Sequence, residues 1–559
     1  MARNRKKNNF NSKGESGSKP NSKFASSMFA EDNVEPSSRW ETKWRKSSGG
    51  SNDPAWYSKI STLYNQATKI STGYPTGLPL QCFDTSIYNQ TWEAGSDAVN
   101  LPGIMTIGIL PGIGVSTSYK SAPNIASQAF FSNIRRNKSG TSPYDAPDAM
   151  MYIIGLASMN SMLMWLQRLY MATNKFSAES VYLPRAMVTA MGFNYEDIMR
   201  HRADLLFYIN YWQSMLKTKY VPTDLTYFKK QVWLFANVYS DSDTSKPQYY
   251  MFNPEGFYKY VEVTNDPSYL ELMPLNLNGT MTFDNLVSYC EEILWSFIGS
   301  QSLAQISSDI GTVYGTKTFV LPDLQADATL DVAHNTTVLN QINNMLLQGY
   351  INTGSSTKAN YRITQNVDDL VNGPFLVYNP LFFTNAPGIK HPILLNFYWD
   401  DVTADDVIEA TRFVPIARPE NVVTAGSAST APVLIHHLSS SSDAIATTAT
   451  IWYLLDDKLT RLLNMTGHVL GASETYTGNS NNWNWTHFET SALEKFDWHM
   501  PMYGYTVQDV NSTNLIGYNL VDPSIQYDID NFALVADNAI DNMHRAALLS
   551  EFDIDGSVS

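Results

Sequence analysis

Few residues in this 559-residue chain stand at spacings that could do chemistry. "GTVYGTKT" (Gly311–Thr318) has the look of a phosphate-binding loop, but its glycines are too close together and a threonine separates Gly315 from Lys317. "GIGVS" after Leu110–Pro111 is half of a dinucleotide fingerprint and reads as a plain turn. Neither a G-x-S-x-G elbow nor an H-E-x-x-H pair occurs. "DDVTADD" puts Asp400, Asp401, Asp405 and Asp406 together, dense enough to attract a hard cation. It lacks the alternating ligands and the glycine of a calcium loop, so it reads as a solvated acidic loop or a helix start. His436–His437 in "PVLIHHLSS" has no nearby acid or cysteine to complete a metal site, and the reading assigns no metal and no cofactor. Asp497 two residues before His499 could tune an imidazole, but a packed, hydrogen-bonded histidine is the plainer expectation.

The elements that would position such residues are mostly helices. "AMMYIIGLASMNSMLMWLQ" (Ala149–Gln167) is nineteen residues without a charge, long enough to span a bilayer. Ser158, Asn160 and Ser161 at its centre argue instead for a buried helix, and its methionines suit an adaptable packing surface. Downstream, Asn194 is placed as an N-cap with Glu196 and Asp197 in the first turn. Ile198, Leu205, Ile209, Trp212 and Leu216 then form one face of a helix that Pro222 ends. Leu225, Phe228, Val232, Phe235 and Tyr239 repeat the spacing, as do Leu286, Ile293, Leu294 and Phe297. Between about 350 and 480 the texture changes to short strands ("GPFLVYNPLFF", "HPILLNFYW", "ATTATIWYLL") broken by "TAGSAST" and "SSSSD", which read as solvent-facing loops. A terminal amphipathic helix carries Ile540, Met543, Ala547 and Leu548 and is a natural segment for exchange between subunits.

Charge is uneven. The chain carries a net charge of -15, yet its first twenty-three residues hold Arg3, Arg5, Lys6, Lys7, Lys13, Lys19 and Lys23 against one acid, Glu15. Residues 1–54 are rich in Ser, Asn, Gly and Lys and cannot bury enough surface to order themselves, apart from the tryptophan pair in "RWETKWRK" (Arg39–Lys46). Such an arm neutralises phosphate without reading bases, whereas the acidic body repels nucleic acid and confines contact to the arm. Two cysteines, Cys82 and Cys290, give no disulfide framework, and the N-terminus has no apolar signal core. Both features suit a reducing compartment and make the sequons at Asn89, Asn137, Asn278, Asn335, Asn464, Asn484 and Asn511 chance matches. Low charge (16%) with 32 tyrosines and 13 tryptophans suits a chain that buries surface against other chains.

The middle of the chain, "PDAMMYIIGLASMNSMLMWLQRLY" and "YVPTDLTYFKKQVWLFANVYSDSDTSKPQYYMFNPEGFYKY" (Tyr220–Tyr260), resembles the picobirnavirus capsid proteins over residues 145–260. The resemblance implies a predominantly α-helical α+β subunit, with a helical shell domain and a smaller projecting domain containing short strands. A disordered basic N-terminal arm completes it. On this sequence the divisions are 1–54 for the RNA-facing arm, 55–345 for the shell, 346–480 for the projecting domain and 481–559 for a return to shell and dimer contacts. It further implies intertwined homodimers building an icosahedral shell around double-stranded RNA, assembled in the host cytoplasm. Self-cleavage of the N-terminal segment and membrane perturbation during infection are also implied. No catalytic residue and no small-molecule substrate are carried over. Two other readings remain: a hydrolase with a carboxylate pair about 5–10 Å apart, and an RNA-binding scaffold that never closes a shell.

Overall fold

The computed structural model describes residues 61–69, 79–81, 98–100, 103–140, 142–175, 183–242, 247–315, 318–349, 355–384, 393–418, 434–455, 458–466, 469–472, 493, 496–509, 518–526 and 529–552. The basic arm with Arg3, Arg5, Lys6, Lys7, Lys13, Lys19 and Lys23 lies outside them, as do Arg39–Lys46, Cys82, "TAGSAST", Asn89, Asn484 and Asn511. Helix and strand are mixed, as the α+β reading requires.

The first well-packed helices are α1 (Ala122–Asn137) and α2 (Ala146–Thr173). Helix α2 starts cleanly because Pro147 fits the first turn and the Asp145 N–H donates to Asp148 Oδ2 at 3.1 Å. It is apolar on every side, and such a helix is stable only when surrounded. Of its most apolar eighteen-residue window, 94% is buried inside this chain. The polar residues at its centre are satisfied locally: Asn160 Nδ2 donates to Leu156 O at 2.9 Å and Ser161 Oγ to Ala157 O at 2.7 Å. Ser158 Oγ accepts the Tyr258 N–H at 2.8 Å. Gly155 admits the Phe297 ring, which would lie 2.9 Å from an added Cβ.

The helix expected over 194–222 is two, α3 (Tyr195–Arg200) and α4 (Arg202–Leu216), and it ends six residues before Pro222. Asn194 does cap it, accepting from the Asp197 N–H. The chain breaks step at His201, whose ring stacks on Phe283 at 4.8 Å. All five residues of the expected face are buried, since the kink preserves their common side. The next helix, α5 (Thr226–Trp233), also stops early. Tyr239 is not on it but on strand β2 (Val238–Ser240), where Tyr239 pairs with Tyr250. A β-branched, aromatic "NVY" with a partner strand available overrides the helical spacing. Helix α6 (Phe283–Ile298) buries Leu286, Ile293, Leu294 and Phe297 as read, and α7 (Gln301–Tyr314) follows it. "GTVYGTKT" therefore begins at the C-terminal end of a helix, the reverse of a phosphate loop.

A six-stranded sheet runs β12–β11–β1–β3–β2–β6. Its members are β1 (Ile104–Pro111), β2, β3 (Tyr249–Pro254), β6 (Val332–Ala333), β11 (Ala444–Leu455) and β12 (Lys458–Thr466). Strand β1 is parallel to β3 and antiparallel to β11. It is buried along its whole length, which is why "IMTIGILP" shows no alternation. Residues from both sides of the boundary expected near 345 thus share one sheet. The hairpin β4 (Gly256–Val261) and β5 (Tyr269–Pro274) packs by α2 and α6. Strands β7 (Leu381–Thr384), β10 (Leu434–Ser440) and β9 (Ile416–Arg418) form a small sheet. A two-stranded ribbon pairs β8 (Ile393–Phe397) with β13 (Asn531–Val535). Three further helices follow: α8 (Thr336–Asn343), α9 (Ala404–Ala410) and α10 (Asp537–Glu551).

Candidate self-assembly surface

The polar run "SSSSD" does not face solvent. Ser440, Ser441, Ser442 and Asp443 are all at most 5% exposed, in the connection from β10 to β11. Ser440, Ser442 and Asp443 are satisfied there by distant residues, whereas the Ser441 hydroxyl has no partner among the described residues. The Asp443 carboxylate takes an ion pair from Lys230 and a hydrogen bond from Gln231 Nε2 at 2.8 Å, both from α5. Its carbonyl accepts the Gly112 N–H at 2.8 Å. Ser442 Oγ donates to the Arg412 carbonyl. Ser440 Oγ bonds His544 Nδ1 at 3.0 Å, while His544 Nε2 donates to Thr411 O at 3.1 Å.

One of these groups, His544, belongs to α10, and Glu551 of the same helix joins the cluster. Lys230 bridges from Asp443 to Glu551 Oε1 at 3.0 Å, the Thr226 hydroxyl donates to Glu551 O at 3.1 Å, and Phe552 stacks on Tyr227 at 4.7 Å. Ile540 and Leu548 are buried against the same subunit, so in this chain α10 closes on its own fold. Burial and the Asp443 charge push the Glu551 carboxyl up to about 7. Burial and the Arg412 guanidinium push the His544 imidazole down to about 4, so it sits neutral in its two hydrogen bonds.

This charged lock fixes α10, and α10 follows β13 directly. On the ribbon, Leu394 opposes Leu534 and Asn396 opposes Phe532. The outer edge of β8 is closed by a side chain that mimics a strand: Asn344 Oδ1 accepts the Asn396 N–H at 2.7 Å and Asn344 Nδ2 donates to Asn396 O at 2.8 Å. Antiparallel pairs alternate, so the backbone groups of Phe532 and Leu534 point away from β8. Among the described residues nothing bonds them. Their side chains are 54% and 60% exposed. An apolar strand edge with free donors and acceptors is a template for another strand. A second apolar feature lies on α4, where Phe207 and Tyr211 stack at 6.1 Å on the exposed face.

The residues singled out for chemistry take structural roles. Asp405 and Asp406 open α9, where Asp406 Oδ2 accepts the Thr403 N–H at 2.8 Å, the helix-start alternative for "DDVTADD". His437 Nδ1 bonds Asn379 O at 3.1 Å, with His436 paired in register to Phe382. His499 is buried with Nδ1 on Met500 O at 3.1 Å. Asn335 is an N-cap rather than a free sequon, accepting from the Thr337 and Val338 N–H groups. The lock and the β13 edge were missed by the sequence reading; the only signal for the edge was apolar alternation in "NFALV".

The family model for the picobirnavirus capsid protein matches residues 56–459. The chain belongs to this family. A capsid protein precursor of human picobirnavirus (strain Human/Thailand/Hy005102/-) is 26% identical over 413 residues, covering 68% of this chain and 72% of the relative. The X-ray crystallographic structure of the picobirnavirus capsid superposes with a TM-score of 0.70 at 16% identity, over 90% of this chain and 99% of the other. It shows a shared fold. A capsid protein is a structural component of the virion and works by associating with copies of itself.

Proposed function

We propose that this chain forms two-fold dimers that build a small icosahedral shell around a double-stranded RNA genome. The observation that carries the dimer reading is the open β13 edge in a capsid-family chain. Two copies of β13 can pair antiparallel about an axis at Ala533. Phe532 of each then opposes Leu534 of the other, and the outward backbone groups of both are consumed. Ala533 meets its own copy at the axis, where only a small side chain is needed, and no charged residue lies within Asn531–Val535. The result is a four-stranded sheet across the dimer. Inside the shell, Arg3, Arg5, Lys6, Lys7, Lys13, Lys19 and Lys23 neutralise RNA phosphate, many weak arms acting together.

The same reading assigns 55–345 and 481–559 to the shell and dimer contacts and 346–480 to the projecting domain, which β11 roots in the main sheet. Assembly takes place in the host cytoplasm. Membrane perturbation falls to a released arm rather than to α2, whose apolar residues form the core. The relative's name, a precursor, supports processing of the chain, which this reading places at the N-terminal segment and which intact mass of assembled particles would read. The first experiment is negative-stain microscopy of the full-length chain alone, wild type and Phe532→Asp. Closed particles for wild type and their loss for the variant are expected. Monomers only, over a range of salt and pH, would overturn the shell; unchanged particles from the variant would overturn the β13 contact.

A further inference from the structure

Between the segment that follows α4 and one face of α7 lies a cavity of about 440 Å³, lined by Lys219, Tyr220, Ser307, Ser308, Gly311 and Thr312 among others. Lys219 is only 9% exposed, and burial lowers its affinity for a proton. Among the described residues its ammonium has neither a hydrogen bond nor an ion pair, and no lining residue is acidic. Its neighbours differ. Lys217 pairs with Asp323 at 2.5 Å, and Lys138 pairs with Asp309 on α7, which also accepts from Tyr144 Oη. A largely buried lysine that lines a cavity, its ammonium without a protein partner, favours an anion there.

The wall beside it is rigid and aromatic. Ser307 Oγ accepts the Tyr220 N–H at 3.0 Å and Tyr152 Oη donates to Tyr220 O at 2.8 Å, so α7 and α2 clamp the backbone of Tyr220 on both sides. The Tyr220 ring lies against Gly311, where an added Cβ would sit 2.6 Å from it, yet the residue stays 40% exposed. Ser308, also on the lining, is an exposed residue. A fixed aromatic face next to an unpaired cation is the pairing that takes a base and its phosphate.

We propose that this cavity binds one nucleotide, its phosphate on the Lys219 ammonium and the Ser308 hydroxyl and its base on the Tyr220 ring. The phosphate chemistry is the same for a free nucleotide and for a unit of an RNA strand. The site is independent of the arm.

The test titrates the full-length chain with 5′-UMP, uridine and inorganic phosphate, for wild type, Lys219→Gln and Tyr220→Ala. Saturable UMP binding is expected, weakened about tenfold or more in Lys219→Gln, because a charge-assisted contact is lost. Tyr220→Ala should bind UMP no better than phosphate. Removing an unpaired buried charge leaves the fold intact, which a melting curve no lower than wild type confirms. RNA carrying 4-thiouridine, packaged and irradiated, separates the sources. Adducts on the Tyr220 peptide identify RNA, whereas UMP binding with adducts elsewhere identifies a free nucleotide. No saturable binding by wild type up to roughly 10 mM ligand, far weaker than a functional site, or equal binding by Lys219→Gln, overturns the proposal. Particle formation is scored separately, so its failure counts against the shell and not against this site.

Discussion

Two interior regions of this subunit are held by opposite means. Around α2, dozens of apolar side chains pack without direction, and polar groups at its centre such as Asn160 and Ser161 are satisfied within a turn of themselves. At the lock, a few charged and hydroxyl groups from α5, the β10–β11 connection, residues 411–412 and α10 meet with fixed geometry. The first kind of contact sets how stable the fold is. The second sets where one particular segment goes, because charges buried together tolerate few arrangements.

That contrast can be broken most directly at Asp443. Asp443→Ala removes the carboxylate that pairs with Lys230 and accepts from Gln231 Nε2, and should cost about 3–5 kcal/mol. Hydrogen exchange should show α10 released first, while α2 stays protected. If exchange rises evenly through both, the lock is not a separate device. Next in size is the core. Leu156→Ala on α2 should cost about 2–5 kcal/mol in urea unfolding, and Gly155→Ala about 1–3 kcal/mol through its clash with Phe297. Met159→Leu, a near-isosteric swap on the same helix, should cost less than about 1.5 kcal/mol.

The pH dependence sharpens the comparison further. Glu551, raised to about 7, lends docking stability that is full below its ordinary range and is lost as pH rises through 7. His544, lowered to about 4, lends stability that is full above its ordinary value and is lost as pH falls through 4. Between about 4.5 and 6.5 these two contributions to the urea midpoint oppose each other. Relative to wild type, Glu551→Gln should make the midpoint rise more with pH across that window and His544→Gln make it fall more, each by at most about 1.4 kcal/mol per pH unit. The smallest effect on the monomer is expected at the edge: Phe532→Asp changes a side chain in solvent and should move its melting by less than about 0.5 kcal/mol, while abolishing assembly.

How much was legible follows the same division. The face of Ile198, Leu205, Ile209, Trp212 and Leu216 could be read because its partners recur within a few residues, and α2 because an uncharged run that long has few fates. The ends of α3 and α5 could not be placed, since His201 answers to Phe283, far along the chain, and Tyr239 to Tyr250 across a strand pair that helical spacing does not reveal. "SSSSD" was misread for the same reason. Four serines and an aspartate look like a loop until Lys230 and His544, some 213 and 104 positions from their partners, are brought to them. The identity of the β13 edge was equally hidden, because exposure is a property of what fails to pack.

The order of strands in the main sheet has a consequence during synthesis. Strand β1 sits between β3 and β11, and β11 begins 333 residues after β1 ends (444 minus 111). At ribosomal speeds that interval is roughly 15–70 s. Until β3 emerges both edges of this largely apolar strand are bare, and one stays bare until β11 follows, on a nascent chain with sister chains on the same message. Codon choice between residues 254 and 444 should therefore govern how much soluble protein a cell recovers, and a slowed message should yield aggregates without a single amino acid having changed.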